Sequence, residues 1–160
     1  MTITNISKES VDNIIFSQWT TLTSEEKKEI SSSLIIEKYD KGQYIYKESE
    51  IPTSMKCLIN GKVKICKNGK TGRDQILRTI KPTELFGFRA YFADDDYLTS
   101  AKALEDSTVA SIPMELVVKI MRVNNQVCMQ LIKQLAIELG KSDSLTVSLT
   151  QKHIRGRLAE

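Results

Sequence analysis

The middle of the chain, residues 34–113, is divided into short apolar runs by frequent turn signals. The runs cover residues 34–36, 44–46, 55–59, 62–66, 75–80, 99–103 and 109–112. Between them stand turn-forming groups such as Asp40-Lys41-Gly42, Asn60-Gly61 and Lys81-Pro82. Many short strands with regular turns are typical of a sandwich, a barrel or a β-roll, and they disfavour a parallel α/β sheet.

The Asn60-Gly61 pair is the firmest local turn signal in this region. This dipeptide readily adopts the positive φ angles of a two-residue type I′ turn. We therefore predict a hairpin between residues 55–59 and 62–66. In that register Leu58 lies opposite Val63 with Ile65 on the same face, whereas Cys57 and Cys66 are diagonal neighbours on the other face.

Helical patterns precede the short strands, in a lead-in that covers residues 1–33. Thr23 and Glu26 have the spacing of a capping box, which predicts a helix over residues 24–30. The three serines at 31–33 are expected to end it.

A second helical region follows the strands, and it covers residues 114–149. Pro113 is suited to open a short helix through Met121, and a longer helix is predicted over residues 125–149. An apolar stripe on the longer helix is spaced alternately by four and three residues. It consists of Cys128, Ile132, Leu135, Leu139, Ser142, Thr146 and Leu149. This heptad spacing predicts a homodimer seam, and the alternative is an amphipathic helix packed on its own domain.

Three further residues of the longer helix, Val127, Leu131 and Leu145, lie off this stripe. They predict a second buried face. After them, residues 150–160 form helix and end without a Gly, Asn or Pro stop signal, so we expect the chain to be part of a longer protein.

Composition excludes several classes of function. The net charge of +3 comes from interspersed charges of both signs, so the composition by itself does not indicate a basic surface for nucleic acid. No apolar run approaches the roughly 20 residues of a membrane span, and the N-terminus lacks a secretory signal. Three cysteines without metal-ligand spacing indicate reduced thiols in a cytoplasmic protein. The single histidine, His153, and the lack of a nucleophile–base pattern argue against an enzyme.

Five segments together carry a resemblance to one family. They are YDKGQYIYKE at 39–48, LINGKVKI at 58–65, LFGF at 85–88, TSA at 99–101 and RGRLAE at 155–160. They resemble the bacterial Crp/Fnr transcription regulators, relatives of the cyclic-AMP receptor protein. The resemblance implies a mainly β fold with flanking helices. In it, a cyclic nucleotide-binding-like β-roll or jelly roll is followed by a long dimerisation helix. It further implies that residues 150–160 are a hinge and the start of a winged helix-turn-helix domain.

The resemblance also places an effector site. In the family, a glycine, the glutamate after it and the arginine of an Arg-Ser-Ala motif hold the cyclic nucleotide. Here Gly87 matches the glycine, but Phe88 replaces the glutamate and Thr99 replaces the arginine. Ser100 and Ala101 are retained.

These two replacements remove the charged contacts to the nucleotide. Each is worth about 1.5–3 kcal/mol, so their joint loss weakens binding roughly 10²–10⁴-fold, and cyclic AMP is not expected as the effector. Arg89, next to Ala90 on the same short helix, either compensates or lies on the surface. Ser142 and Asp143 match positions that reach the adenine ring in relatives, and the alternatives are a cross-dimer contact and a solvated side chain.

The sequence thus predicts the effector-sensing and dimerisation portion of a Crp/Fnr-type regulator with an unknown small-molecule effector. Contacts with DNA and RNA polymerase would belong to the full-length protein, and no membrane is involved. One alternative is a dimerising scaffold without a ligand, controlled by partner proteins or by its own abundance.

A second alternative is a sensor of haem or nitrosative stress, with Met55, Cys57, Cys66 or Cys128 as axial ligands. No cysteine precedes Cys57, which excludes the family's iron–sulfur chemistry. Two minor hypotheses are a thiol switch at Cys57 and Cys66 and a cation site at the acidic run 94–96, which is otherwise a solvated loop.

Overall fold

The computed structural model describes residues 6–68 and 74–157. The chain divides into two compact units, Met1–Ile120 and Met121–Glu160. Its helices are α1 (Lys8–Gln18), α2 (Ser24–Ser33), α3 (Arg89–Phe92), α4 (Met114–Val123) and α5 (Asn125–Arg157). Its strands are β1 (Ile35–Tyr39), β2 (Tyr44–Tyr46), β3 (Ser54–Asn60), β4 (Val63–Asn68), β5 (Asp74–Ile80), β6 (Leu85–Phe86), β7 (Ser100–Ala103) and β8 (Ser107–Pro113). Across the described ranges, no helix is both long enough and apolar enough to span a bilayer.

The predicted capping box at the start of α2 is confirmed. The Thr23 side chain accepts from the Glu26 backbone N–H at 3.2 Å, and the Glu26 carboxylate accepts from the Thr23 N–H at 2.8 Å. The expected break at residues 31–33 is wrong, because α2 continues to Ser33. Ser31 donates to an Asp12 carboxylate oxygen at 2.7 Å and Ser32 to the Glu29 carbonyl at 2.9 Å, so these hydroxyls are satisfied within a helical backbone.

The strands form two four-stranded antiparallel sheets. One has the order β1-β8-β3-β6 and the other the order β2-β7-β4-β5. Apolar side chains from both sheets meet in one buried cluster, in which Leu58, Phe86 and Val109 come from the first sheet and Val63 and Ile65 from the second. The predicted β-roll or jelly roll with flanking helices is confirmed.

The predicted hairpin at Asn60-Gly61 is wrong. β3 pairs with β8 and β6, and β4 pairs with β5 and β7, so the turn joins strands of different sheets. Gly61 does have a positive φ of 94°, and a Cβ there would lie 2.7 Å from the Ser107 Cα. The dipeptide therefore serves as a tight corner. Leu58 and Val63 still point to a shared core, although they belong to opposite sheets.

Several element bounds also differ from the expectation. The two-residue β6 was not predicted, since so short a strand leaves no alternation to detect. Pro113 ends β8, and α4 begins one residue later and runs to Val123. β1 extends to Tyr39 because it pairs with β8 along its whole length.

In the second unit, α5 continues to Arg157, eight residues beyond the predicted end at Leu149. The residues of the predicted seam differ in exposure. Cys128 and Leu135 are half-buried, and the exposed ones are Ile132, Leu139, Ser142 and Thr146. The structure does not describe the side chain of Leu149. The second face is confirmed at Val127 and Leu131, which are buried, but it is wrong for the exposed Leu145. The assignment of residues 150–160 to a hinge and a further domain stays a prediction, and residues 158–160 are outside the described range.

Candidate functional site

The candidate site is built around the segment that leads from β6 into α3. Gly87 follows the strand with a φ of 78°, a conformation that favours glycine. Phe88 comes next and is only 2% exposed, with its ring edge-on to that of Phe92 at a centroid distance of 6.4 Å. The side chain at the position where a glutamate was expected is therefore buried against aromatic carbon.

A cavity of about 100 Å³ opens beside this segment. Among the predicted site residues, it brings together Gly87, Arg89, Ala90 and Thr99. Its other lining residues are Tyr46, Ile65, Arg78, Ala93, Asp95, Asp96, Tyr97 and Leu98. The predicted set thus contributes only part of the wall.

The remaining roll residues of the predicted site do not line this cavity. Phe88 packs beside Phe92, Ala101 belongs to the apolar cluster, and Ser100 is buried. The Ser100 hydroxyl accepts from the Glu48 backbone N–H at 2.9 Å. Ser100 and Ala101 therefore hold β7 in place.

Two tyrosines form the buried wall of the cavity. The rings of Tyr46 and Tyr97 are stacked at a centroid distance of 3.8 Å and an interplanar angle of 12°. The Tyr97 hydroxyl donates to the Gly87 carbonyl at 3.0 Å, which ties the stack to the segment before α3. Burial raises the pKa of Tyr46 to about 12, and burial likewise raises the pKa of Tyr97, so both hydroxyls are protonated at neutral pH.

The Tyr46 hydroxyl is surrounded by polar groups of the cavity. Burial is the main cause that raises the pKa of Tyr46, and the positive charges of Arg78 and Arg89 act to lower it. Thr99 lines the cavity with a neutral hydroxyl at the position where the sequence resemblance predicts an arginine. Two guanidinium groups from other positions supply positive charge near this point.

Sequence reasoning missed Arg78, Tyr46 and Tyr97 as site residues. Arg78 lies on β5 opposite Ile65 of β4, and this register brings it to the cavity. The advance signal was an arginine in the predicted strand 75–80, which has no other charge, and this by itself does not indicate a binding site. Tyr46 was assigned only to the predicted strand 44–46 and Tyr97 to no element, because a stack between distant segments leaves no local pattern.

The acidic run 94–96 is the hypothetical cation site of the sequence analysis. Asp95 and Asp96 line the cavity, whereas Asp94 does not. Within residues 6–68 and 74–157, no group of three or more His, Cys, Asp or Glu side chains is arranged to hold a metal ion. The structure therefore gives no support to a cation at this loop.

The cysteines are all free thiols. Cys57 lies in β3 and Cys66 in β4, so the expected diagonal pair is wrong for the same reason as the hairpin. Burial raises the pKa of Cys57 to about 12, and burial is also the main cause that raises the pKa of Cys66. Both thiols are kept protonated and weakly nucleophilic, which disfavours a thiol switch.

Burial bears on the haem alternative in the same way. Met55, Cys57 and Cys66 are each 0% exposed, so none presents its sulfur to a ligand at the surface. Cys128 is half-buried on α5. No described feature around these sulfur atoms favours haem.

Ser142 and Asp143, the predicted contacts to a purine, are exposed residues of α5 in the second unit. The Thr146 hydroxyl donates to the Ser142 carbonyl at 3.1 Å, so this seam hydroxyl is satisfied within its own helix. The part that Ser142 and Asp143 take in effector binding stays a prediction.

Comparison with known proteins gave one family match. The model of the family described as "Cyclic nucleotide-binding domain" matches residues 36–124. Human cGMP-dependent protein kinase 2 is 35% identical over 89 residues, which are 54% of this chain and 11% of the kinase. A CRP-like cAMP-activated global transcriptional regulator of Mycobacterium tuberculosis is 23% identical over 122 residues, which are 76% of this chain and 54% of the regulator. The chain thus spans about a tenth of the kinase and about half of the regulator.

Solved structures show the same fold. The sensor domain of the transcriptional regulator DNR from Pseudomonas aeruginosa superposes with a TM-score of 0.75 at 21% identity, and the match covers 86% of this chain and 93% of that domain. The Thermus thermophilus catabolite activator protein matches with a TM-score of 0.69 at 23% identity, over 83% of this chain and 62% of that protein.

Proposed function

The chain belongs to the cyclic nucleotide-binding domain family, and from this premise we propose that it is the effector-sensing and dimerisation portion of a Crp/Fnr-type DNA-binding regulator. A β-roll followed by a long helix with exposed apolar residues such as Ile132 and Leu139 supports this proposal. The DNR sensor domain, whose match covers 86% of this chain and 93% of that domain, has the same fold. In this proposal the protein is a cytoplasmic, non-enzymatic homodimer that binds a small-molecule effector.

The effector in this proposal is not cyclic AMP. The observation that carries this conclusion is the chemistry of the two replaced positions: Phe88 is buried beside Phe92, and Thr99 lines the cavity with an uncharged side chain. Neither offers a charged group to a cyclic phosphate or a ribose. The cavity of about 100 Å³ is also well below the roughly 300–1,000 Å³ typical of sites for larger ligands.

Calorimetric titration with cyclic AMP up to millimolar concentration tests this conclusion. We expect no saturable heat and no rise in the melting temperature. Thr99→Arg restores the missing guanidinium and should strengthen any residual binding by roughly 10-fold or more, because one charged hydrogen bond is regained. Thr79→Arg, an exposed position that does not line the cavity, is the matched control. Micromolar binding by the unmodified chain would overturn the conclusion.

The second candidate function is a dimerising scaffold that binds no effector. The stack of Tyr46 on Tyr97 favours it, because two large rings occupy part of the roll interior and leave only a small cavity. This candidate predicts that no small molecule raises the melting temperature of the chain. Saturable binding of a small molecule of any class would exclude the scaffold function.

A further inference from the structure

One face of the sheet β1-β8-β3-β6 changes from apolar to polar along its length. Leu58 of β3 and Val109 of β8 lie opposite each other and belong to the buried apolar cluster. Two residues further along, Lys56 lies opposite Ser111, and the alternation of side chains puts this pair on the same face. Lys56 is only 8% exposed and Ser111 only 5%. An ammonium group and a hydroxyl are thus enclosed at the end of the apolar face.

Three hydrogen-bond donors converge at this point. The Lys56 ammonium donates to the hydroxyl oxygens of Ser54 and Ser111, at 3.0 and 3.3 Å, so both hydroxyls keep their own protons for a further bond. Among residues 6–68 and 74–157, no acceptor takes either of these protons, and none takes the third hydrogen of the ammonium group. Enclosed donors in proteins are paired in the great majority of cases, and a bound water or ion is the usual partner where the chain supplies none.

The carboxylates that act on the charge of Lys56 are bound to other groups. These are Glu37 and Glu50, which oppose the lowering of its pKa that burial causes. The Glu37 carboxylate accepts from the Tyr39 hydroxyl at 2.9 Å, and the Glu50 carboxylate accepts from the Lys47 backbone N–H at 2.9 Å. Both glutamates are exposed, so solvent and salt screen their charges. The enclosed ammonium group is therefore left without a contacting counter-ion, which is an unfavourable arrangement.

An anion suits this set of groups better than a water molecule does. A water that accepts from the donors at Lys56 also needs acceptors for its own two hydrogens. An anion needs none, and it supplies the missing negative charge, which strengthens each hydrogen bond to it. The low exposure of Lys56 and Ser111 limits the anion to a small one. The charges of Glu37 and Glu50 disfavour a second negative charge on it.

We propose that a small monovalent anion, a halide or a compact oxyanion, binds between the Lys56 ammonium and the hydroxyls of Ser54 and Ser111. The Lys56 Cδ lies 3.7 Å from the point that a Cβ on Gly87 would occupy, so the anion site adjoins the segment between β6 and α3. Lys56 does not line the cavity beside α3, and the anion site is therefore separate from the candidate effector site. The proposal does not depend on the identity of the effector.

Thermal unfolding and chloride NMR test the proposal on the intact chain. The melting temperature is measured in sodium chloride and in sodium gluconate at equal ionic strength, because gluconate is too large for an enclosed site. We expect a higher, saturable melting temperature in chloride, since at ten times the Kd the equilibrium constant for unfolding falls about 11-fold. Exchange with the site should also broaden the chloride resonance. Formate should compete and narrow it again, whereas sulfate at equal ionic strength should not.

Two variants place the anion at Lys56. Lys56→Met removes the ammonium group and should abolish both chloride effects. Ser111→Ala removes one donor and should raise the Kd for chloride about 10-fold or more, which tests the site even if Lys56→Met does not fold. Lys38→Met, which removes an exposed lysine on the neighbouring strand β1, is the matched control and should respond to chloride as wild type does.

Three results would overturn the proposal. Chloride effects that persist in Lys56→Met and Ser111→Ala would place the anion elsewhere. Wild type without either effect would show that water alone satisfies these donors. Sulfate that competes as well as formate would exclude a monovalent site. Neither dimerisation nor the response to cyclic AMP enters these measurements, so failure here is distinguishable from failure of the proposed function.

Discussion

The hydroxyl of Tyr97 donates to the backbone carbonyl of Gly87 at 3.0 Å while its ring lies 3.8 Å from that of Tyr46. One side chain thus connects the loop after α3 with the loop before α3 and with β2. Since the cavity lies between these segments, the position of Tyr97 determines the shape of its buried wall. Changes at this residue should affect both stability and ligand binding.

Removal of the Tyr97 hydroxyl measures how much its hydrogen bond to Gly87 contributes to stability. Tyr97→Phe keeps the stack but leaves the Gly87 carbonyl without this donor, which should lower the free energy of unfolding by about 1 kcal/mol. Tyr91→Phe, at a half-buried position whose hydroxyl makes no hydrogen bond to another described residue, should change it by less than about 0.5 kcal/mol. Urea unfolding followed by tryptophan fluorescence measures both. Equal effects of the two variants would show that the Gly87 contact contributes nothing.

The tight corner at Gly61 between β3 and β4 can be tested by comparison with Gly42, which has a similar positive φ. Gly61→Ala would place a Cβ 2.7 Å from the Ser107 Cα, whereas a Cβ at Gly42 meets nothing within 4 Å. Both have positive φ, so both substitutions carry the left-handed penalty of roughly 1–2 kcal/mol. Gly61→Ala should lower the free energy of unfolding by at least about 1 kcal/mol more than Gly42→Ala, because the backbone there must also move. Similar losses would contradict the close approach.

The same corner shows what local sequence can and cannot predict. Asn60-Gly61 correctly indicated a tight turn with positive φ at Gly61, because that preference belongs to the dipeptide itself. It did not reveal that β3 and β4 separate into two sheets. Which strands pair depends on which of their faces are buried in the whole roll. β3 is buried on both faces, since Cys57 and Leu58 are both 0% exposed. An alternating pattern with one solvated face was therefore not available to distinguish a hairpin from a corner.

The candidate site was predictable to a similar extent. Gly87, Arg89 and Thr99 were found through the resemblance of short motifs, and the cavity brings them together. Arg78 and Tyr97 could not be found in that way. Their place at the cavity depends on strand register and on a stack between distant segments, and neither leaves a trace in local spacing.

Lys56 is a buried amine whose charge is costly to the folded state. It is 8% exposed and donates to the hydroxyls of Ser54 and Ser111, at 3.0 and 3.3 Å, and no carboxylate among residues 6–68 and 74–157 is in hydrogen-bond contact with it. Burial lowers its pKa below the ordinary 10.5, against the weaker opposing effect of the carboxylates of Glu37 and Glu50. The folded protein therefore binds fewer protons here than the unfolded chain at alkaline pH.

This difference predicts how stability depends on pH. Where the unfolded chain binds more protons, the free energy of unfolding rises with pH, so the cost of Lys56 should fall as the pH rises toward 10.5. Cys57 acts in the opposite sense from about pH 9, because its raised pKa favours the protonated folded state. Both wild type and Lys56→Met contain Cys57, so its contribution cancels in the difference between their free energies of unfolding. This difference should shift in favour of wild type between pH 7 and 10. Urea unfolding at each pH measures it. Lys38→Met, at an exposed position, should show no such trend.

The predicted dimer seam on α5 is tested most directly at Leu139. This side chain is 64% exposed in a single chain, and an aspartate there would place a charge in the apolar centre of a two-helix interface. Leu139→Asp should therefore halve the mass measured by light scattering at micromolar concentration, while the far-ultraviolet circular dichroism stays unchanged. Lys141→Asp introduces the same residue about 200° further around the helix and should leave the dimer intact. If the dimer persists in Leu139→Asp but not in Lys141→Asp, the interface lies on the opposite face of α5. If it persists in both variants, α5 does not form the dimer interface.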